Sequence, residues 1–242
     1  MLSKSQIKLI KSLKQKKYRI QHQLFIAEGV KTISELLNSA FELYQLYTTT
    51  SVFDDLDVEV QKITEQELKS VSFLTTPNQA LAIFRIPEPK KIDTSQLIVA
   101  LDDVRDTGNL GTIIRLCDWY GVKDLICSTA TVDCYNPKVV QATMGSITRV
   151  NVSYVDLSAF LSETPSMVYG ACMDGDNVYK TSLETNGVLV LGNEANGISP
   201  NIEKLITTRV SIPRFGSLKQ TESLNVANAT AILLSEFKRR SL

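Results

Sequence analysis

Three short stretches of this 242-residue chain gather the side chains and glycines that chemistry on a bound ligand requires, and each follows or begins within an apolar run. The first is Asp102-Asp103-Val104-Arg105-Asp106-Thr107-Gly108-Asn109-Leu110-Gly111, with Arg115 shortly after it. Leu110, Ile113, Ile114 and Cys117 recur at helical spacing, which turns Arg115 away from their stripe. Asn109 stands near the start of that helix, where its carboxamide can serve as a cap rather than meet a ligand. The second stretch is Gly192-Asn193-Glu194-Ala195-Asn196-Gly197, directly after Val188-Leu189-Val190-Leu191. Paired glycines allow a tight turn and leave amides open to a ligand. The stretch is neither a dinucleotide fingerprint nor a phosphate-binding loop with its lysine and hydroxyl. An ordinary strand-to-helix turn is the competing reading, with Ser199-Pro200 opening the next helix. The third is Ile212-Pro213-Arg214-Phe215-Gly216, then Glu222-Ser223-Leu224-Asn225-Val226, where Ser223 can simply cap the terminal helix. A guanidinium, a carboxylate, carboxamides and a hydroxyl can together orient a polar substrate and stabilise charge that develops on it.

These loops need rigid elements behind them. Leu97-Ile98-Val99-Ala100-Leu101 is a continuous apolar run, the pattern of a strand buried on both faces of a parallel sheet. Further strands are expected at 125–127, 150–155, 167–172, 188–191 and 209–212, with helical segments between most of them. That alternation predicts an α/β domain with a mostly parallel sheet, in which ligands bind outside the carboxyl ends of the strands. A terminal helix presents Val226, Ala229, Thr230, Leu233, Leu234 and Phe237 on one face, and Lys238-Arg239-Arg240 complements its dipole. Upstream, Ile7, Ile10 and Leu13 mark a basic helix, and strands are expected at 24–27, 43–47, 58–63 and 80–86. A helix is expected at 30–38, and Thr64 with Glu67 forms a capping-box pattern. Pro87-Glu88-Pro89-Lys90-Lys91 breaks the pattern. The expected organisation is therefore a small α/β domain at 1–86, a linker at 87–95 and a larger domain at 96–242.

Composition narrows the function. An apolar fraction of 43% and a charged fraction of 21% are those of a folded globular protein. No apolar run approaches the roughly 18 residues that cross a bilayer, and Met1-Leu2-Ser3-Lys4 opens no signal core, so a cytoplasmic location is expected. Cys117, Cys127, Cys134 and Cys172 form no C-x-x-C pair and His22 is the only histidine, so no metal site is expected. The formal net charge is zero, yet residues 1–19 hold Lys4, Lys8, Lys11, Lys14, Lys16, Lys17 and Arg19 and no acid. That segment, 4–19, is either a solvated helix face or a local field suited to phosphate.

Taken together and in order, the three loops resemble the three motifs of the SpoU (TrmH-type) RNA ribose methyltransferases of the SPOUT superfamily. The matching residues are Asp106-x-x-Asn109-x-Gly111 with Arg115, Gly192-x-Glu194-x-x-Gly197, and Ile212-Pro213 followed by Ser223-Leu224-Asn225-Val226. The stretch from Asn136-Pro137-Lys138-Val139-Val140 to Gly145-Ser146 also resembles a family segment. The stretch from Lys8 through Tyr18-Arg19 to Phe25-Ile26-Ala27-Glu28-Gly29 is similar to the substrate-binding domain that precedes many such catalytic domains, a ribosomal-protein-like α/β fold. Three departures stand out: Thr107 in place of a proline, Ala227 in place of a second serine, and a longer loop from Gly216 to Ser223.

The resemblance implies a trefoil-knotted catalytic domain, a homodimer, and S-adenosyl-L-methionine as methyl donor to a ribose 2′-hydroxyl. Its catalytic set is Asn109, Arg115, Glu194, Ser223 and Asn225. Its cofactor contacts are Leu191, Gly192, Asn193, Ile212, Pro213 and Leu224, through backbone groups around the adenosine. The expected substrate is RNA, large-subunit ribosomal RNA ahead of transfer RNA, with the basic segment 4–19 contributing to its capture. Placing the reactants in line supplies about 7 kcal/mol or more of the barrier. Arginine holds its proton too tightly to act as a base, so Arg115 is read as a cation that stabilises the developing alkoxide, with Glu194 as the other candidate for the proton. Competing readings are a non-catalytic RNA-binding or ribosome-assembly factor of the same fold, and a nucleotide-dependent α/β enzyme.

Overall fold

The computed structural model describes residues 1–216 and 223–239. The part of the expected long loop at 217–222, with Glu222, and the basic residue Arg240 lie outside the described residues. The chain forms two compact units, Met1–Glu88 with Asp133–Thr148, and Pro89–Val132 with the chain from Arg149 onward.

The first unit opens with α1 (Lys4–Ser12) and α2 (Lys16–His22), where periodicity alone suggested a single helix. Ser3 closes a capping box with Gln6 at the start of α1. Then come β1 (Leu24–Glu28), α3 (Val30–Leu37), β2 (Leu43–Thr48), β3 (Val60–Lys62), α4 (Glu65–Val71) and β4 (Ala80–Arg85). The Thr64–Glu67 capping box forms as its spacing predicts. The sheet order is β1-β4-β2-β3, with β1–β4 and β4–β2 antiparallel and β2–β3 parallel.

β1 is an edge strand, yet all five of its residues are buried. An uncovered edge invites pairing with another chain. Here the cover comes from far along the sequence: α6 (Pro137–Thr143) packs against β1, and Tyr135 packs on Phe25 at 4.8 Å between ring centroids. The segment Asp133–Thr148, assigned from sequence to the larger domain, thus completes the core of the first unit. Arg19 holds it there. This residue of the basic segment is only 2% exposed, donating from Nε and Nη2 to Asp133 Oδ2 and from Nη1 to the carbonyls of Leu13 and Lys14. It is therefore not part of a phosphate-facing surface, whereas Lys4, Lys8, Lys11, Lys14, Lys16 and Lys17 are exposed.

The second unit carries β5 (Leu97–Leu101), α5 (Thr107–Trp119), β6 (Asp124–Ser128), β7 (Asn151–Val155), α7 (Leu157–Glu163), β8 (Val168–Asn177), β9 (Gly187–Leu191), α8 (Pro200–Glu203), β10 (Thr208–Ser211) and α9 (Val226–Arg239). All neighbouring pairs in the sheet are parallel, in the order β10-β8-β9-β5-β6-β7. β5 and β9 read as apolar runs because both are buried on both faces. From β5 the chain builds outward through β6 and β7, then crosses to the other side of the sheet. The order reverses between β5 and β9, and such a switch point opens a crevice at the carboxyl ends. The apolar stripe of α5, Leu110, Ile113, Ile114 and Cys117, is fully buried, and α5 packs against α9.

Candidate active site

Both loops at the switch point are pinned by the end of β5. Asp102, buried, accepts from the backbone N–H of Ser199 at 2.7 Å. Asp103 turns the chain with φ of +58°, a conformation costly for a residue with a Cβ. Its N–H donates to Ser128 Oγ, its carboxylate accepts from Arg105, and its carbonyl accepts from Asn193 Nδ2 at 2.8 Å. Asn193 also accepts from the N–H groups of Ala195 and Asn196, while its own N–H donates to the Gly197 carbonyl and its carbonyl accepts from the Gly197 N–H. Its amide is thus spent inside the loop. A Cβ on Gly192 would stand 2.1 Å from the Gly197 carbonyl carbon, so this turn admits only glycine there. Sequence reasoning passed over Asp102 and Asp103 as site-builders. Two acids ending an apolar run were the available signal.

The capping roles open to Asn109 and Ser223 in the sequence fall to other residues, which leaves the Asn109 carboxamide free to reach outward. Asp106, not Asn109, caps α5 by accepting from the Asn109 N–H at 2.8 Å. Asn225, not Ser223, accepts from the first free amides of α9, those of Ala227 at 3.0 Å and Asn228 at 3.2 Å. Asn225 Nδ2 then donates to Asn109 Oδ1 at 2.9 Å, and Asn109 Nδ2 donates to Glu194 Oε1 at 2.6 Å. Three residues separated by 85 and 116 positions along the chain meet in one directed chain of hydrogen bonds. The last of these is short, as a bond to a carboxylate is.

Glu194 also lines a cavity of about 540 Å³. Leu191, Gly192, Asn193, Ile212, Pro213, Ser223 and Leu224 line it as well, so every expected cofactor residue borders one space. Asn109 and Asn225 reach it through Glu194. The sequence reading missed a wall made by Ala171, Cys172 and Met173 of β8, with Val210 and Leu233 among the other lining residues. Burial raises the Cys172 thiol pKa, so this group stays protonated at neutral pH.

Arg115 is the exception. It is exposed on α5 and does not line the cavity. Six residues beyond Asn109, it lies about 9 Å further along the helix axis and on a different face. Among the described residues its guanidinium has no hydrogen-bonding or ionic partner.

Comparison with known proteins bears on the site as a whole. Residues 96–235 match the model of the SpoU rRNA methylase family, and residues 4–82 match an MRM3-like substrate-binding domain. A structure from Porphyromonas gingivalis, assigned to the TrmH family of RNA methyltransferases, is 38% identical and superposes with a TM-score of 0.91 over 99% of both chains. An rRNA methyltransferase from Sinorhizobium meliloti, solved with AdoMet bound, is 27% identical with a TM-score of 0.86, over 100% of this chain and 97% of that one. The 23S rRNA (guanosine(2553)-2′-O)-methyltransferase RlmP of Bacillus subtilis is 29% identical over 93% of this chain and 92% of its own length.

Proposed function

Because this chain belongs to the SpoU rRNA methylase family, we propose that it transfers a methyl group from S-adenosylmethionine to a ribose 2′-hydroxyl of large-subunit ribosomal RNA in the cytoplasm. The observation that carries this reading is the hydrogen-bonded chain from α9 through Asn225 and Asn109 to Glu194 on the cavity wall.

The cavity fits the methyl donor in size and in chemistry. About 540 Å³ lies within the range of pockets that enclose small-molecule cofactors. Leu191, Val210, Ile212, Leu224 and Leu233 offer apolar surface to a purine, and the loops 192–197 and 212–215 offer backbone groups to its polar edge. When bound, S-adenosylmethionine supplies a methyl group already activated by a sulfonium charge.

The protein's own task is to place the ribose oxygen and to manage its proton. Glu194 is exposed at the cavity, with one oxygen held by Asn109. Asn225 Oδ1 is committed to the helix amides, so Asn225 Nδ2 donates to Asn109 and Asn109 donates in turn to Glu194. That fixed order keeps Glu194 an acceptor, aimed to take the hydroxyl proton as a general base. Ser223, on the cavity wall, orients the ribose.

Arg115 completes the site from a second copy of the chain. Trp119, one helical turn beyond it, is 84% exposed, and large aromatics of this kind anchor interfaces. Docking through this face of α5 forms a homodimer in which each guanidinium stabilises the oxyanion forming in the opposite cavity. The C-terminal part of the catalytic domain is read as threading a trefoil knot, a reading supported by the likeness to the TrmH-family structure. The exposed lysines of α1 and α2 supply phosphate contacts for RNA.

Incubation of the purified protein with methyl-labelled S-adenosylmethionine and ribosomal RNA lacking its modifications tests the proposal. Label is expected in alkali-resistant dinucleotides, because 2′-O-methylation blocks cleavage. Glu194→Gln is expected to lower kcat about 100-fold or more with cofactor binding retained, the scale of a lost general base. A wild-type protein that neither binds S-adenosylmethionine nor labels RNA defeats the proposal.

A further inference from the structure

β8 leaves the sheet halfway along its length. Its pairing with β10 runs Thr208 to Tyr169 and Arg209 to Gly170, then jumps so that Val210 meets Asp176 and Ser211 meets Asn177. One step on β10 therefore spans six on β8, leaving residues 171–175 without a partner on that side. The pairing with β9 ends at Gly170, so they have none on the other side either. Ala171, Cys172 and Met173 of this excursion form a cavity wall.

An unpaired loop of this kind drifts unless something holds it, and two contacts do. At its foot, a Cβ on Gly175 would come within 2.6 Å of the Val210 nitrogen and 2.7 Å of the Arg209 carbonyl carbon, both backbone atoms that cannot yield cheaply. The backbone of the excursion lies directly on β10 at the register jump, and Ser211 Oγ donates to the Gly175 carbonyl at 2.7 Å. At its side, Arg209 donates from Nη2 to Asp174 Oδ1 and from Nη1 to Glu203 Oε1, each at 2.5 Å. The guanidinium thus ties the excursion to α8, and its hydrogen bond to Asp174 holds that carboxyl below the usual range.

We propose that Gly175, Asp174 and Arg209 are positioning residues that set the cofactor-facing wall at Ala171–Met173, and through it the affinity for S-adenosylmethionine. The inference rests on the reading of the cavity as the cofactor site. None of the three residues lines the cavity, so their effect passes through the excursion.

Calorimetric titration of S-adenosylmethionine into the wild type and into Asp174→Asn, Asp174→Glu and Gly175→Ala, with a thermal melt of each, tests it. Asp174 is 72% exposed, and pairs at such positions contribute little to stability, so Asp174→Asn is expected to keep the wild-type Tm. Its Kd for the cofactor rises about threefold, on the scale of one surface ion pair, while Asp174→Glu restores affinity. Gly175→Ala raises Kd about tenfold or more, because backbone must move. In turnover assays the loss is in KM for the cofactor, with kcat at saturation retained. Variants that bind within twofold of wild type, or whose Kd losses only track a falling Tm, overturn the wall alone. A wild type that gives no binding overturns the cofactor reading and this inference together.

Discussion

Each carboxamide between α9 and Glu194 has one orientation open to it. Asn225 turns its oxygen to the helix amides and its nitrogen to Asn109, and Asn109 repeats the pattern toward the carboxylate. Asn225 therefore has two separable jobs. Asn225→Ala loses both, at a cost of about 1 kcal/mol for the missing cap, read from the melting curve. Asn225→Asp keeps the acceptor, in a favourable place at a helix N-terminus, but cannot donate to Asn109. It is expected to melt like the wild type while kcat falls about fivefold, since a neutral hydrogen bond is worth about 1 kcal/mol. Equal kcat in Asn225→Asp and the wild type would remove the directed chain from the mechanism. Sequence named Asn109, Glu194 and Asn225 as a set, yet their order in the chain was not legible, because a carboxamide near a helix start looks the same whether it caps or reaches outward.

At the scale of elements, the local signals that held were those closed within a few residues. Thr64 and Glu67 cap α4 as their spacing predicts, and the stripe of α5 is buried as its periodicity predicts. What failed was long-range. Arg19 sits among lysines in sequence, but its partner Asp133 is 114 positions away, so nothing local marks it as a buried ion-paired residue. Asp133 is only 13% exposed, and removing one partner of a buried pair strands the other charge. Asp133→Ala is expected to destabilise the first unit by about 3 kcal/mol or more in denaturant unfolding. A loss below 1 kcal/mol would mean that the carbonyls of Leu13 and Lys14 suffice to hold the guanidinium and that Asp133–Thr148 is anchored by α6 packing alone.

At the scale of the whole molecule, the separation of Arg115 from the cavity is the feature that most constrains assembly. A site completed by a second copy makes a sharp forecast for mixed proteins. Arg115→Ala and Glu194→Gln are each expected to be nearly inactive alone, whereas subunits exchanged between them form dimers with one intact site, and activity returns. If mixing restores nothing although the subunits exchange, Arg115 acts within its own chain or not at all. Among the described residues no helix is long and apolar enough to cross a membrane.

The amino-acid sequence alone determined the alternation of strands and helices, the parallel sheet and the three polar, glycine-bearing loops. These follow from apolar periodicity and from glycine and polar residues at strand ends, properties carried by neighbours in the chain. Tertiary structure alone decided which asparagine caps and which connects, why an edge strand is buried, where β8 departs from its ladder, and that the guanidinium at position 115 stands apart. Each of those depends on which groups, near or distant in the chain, compete for the same donor, acceptor or space, and that competition exists only once the chain has folded.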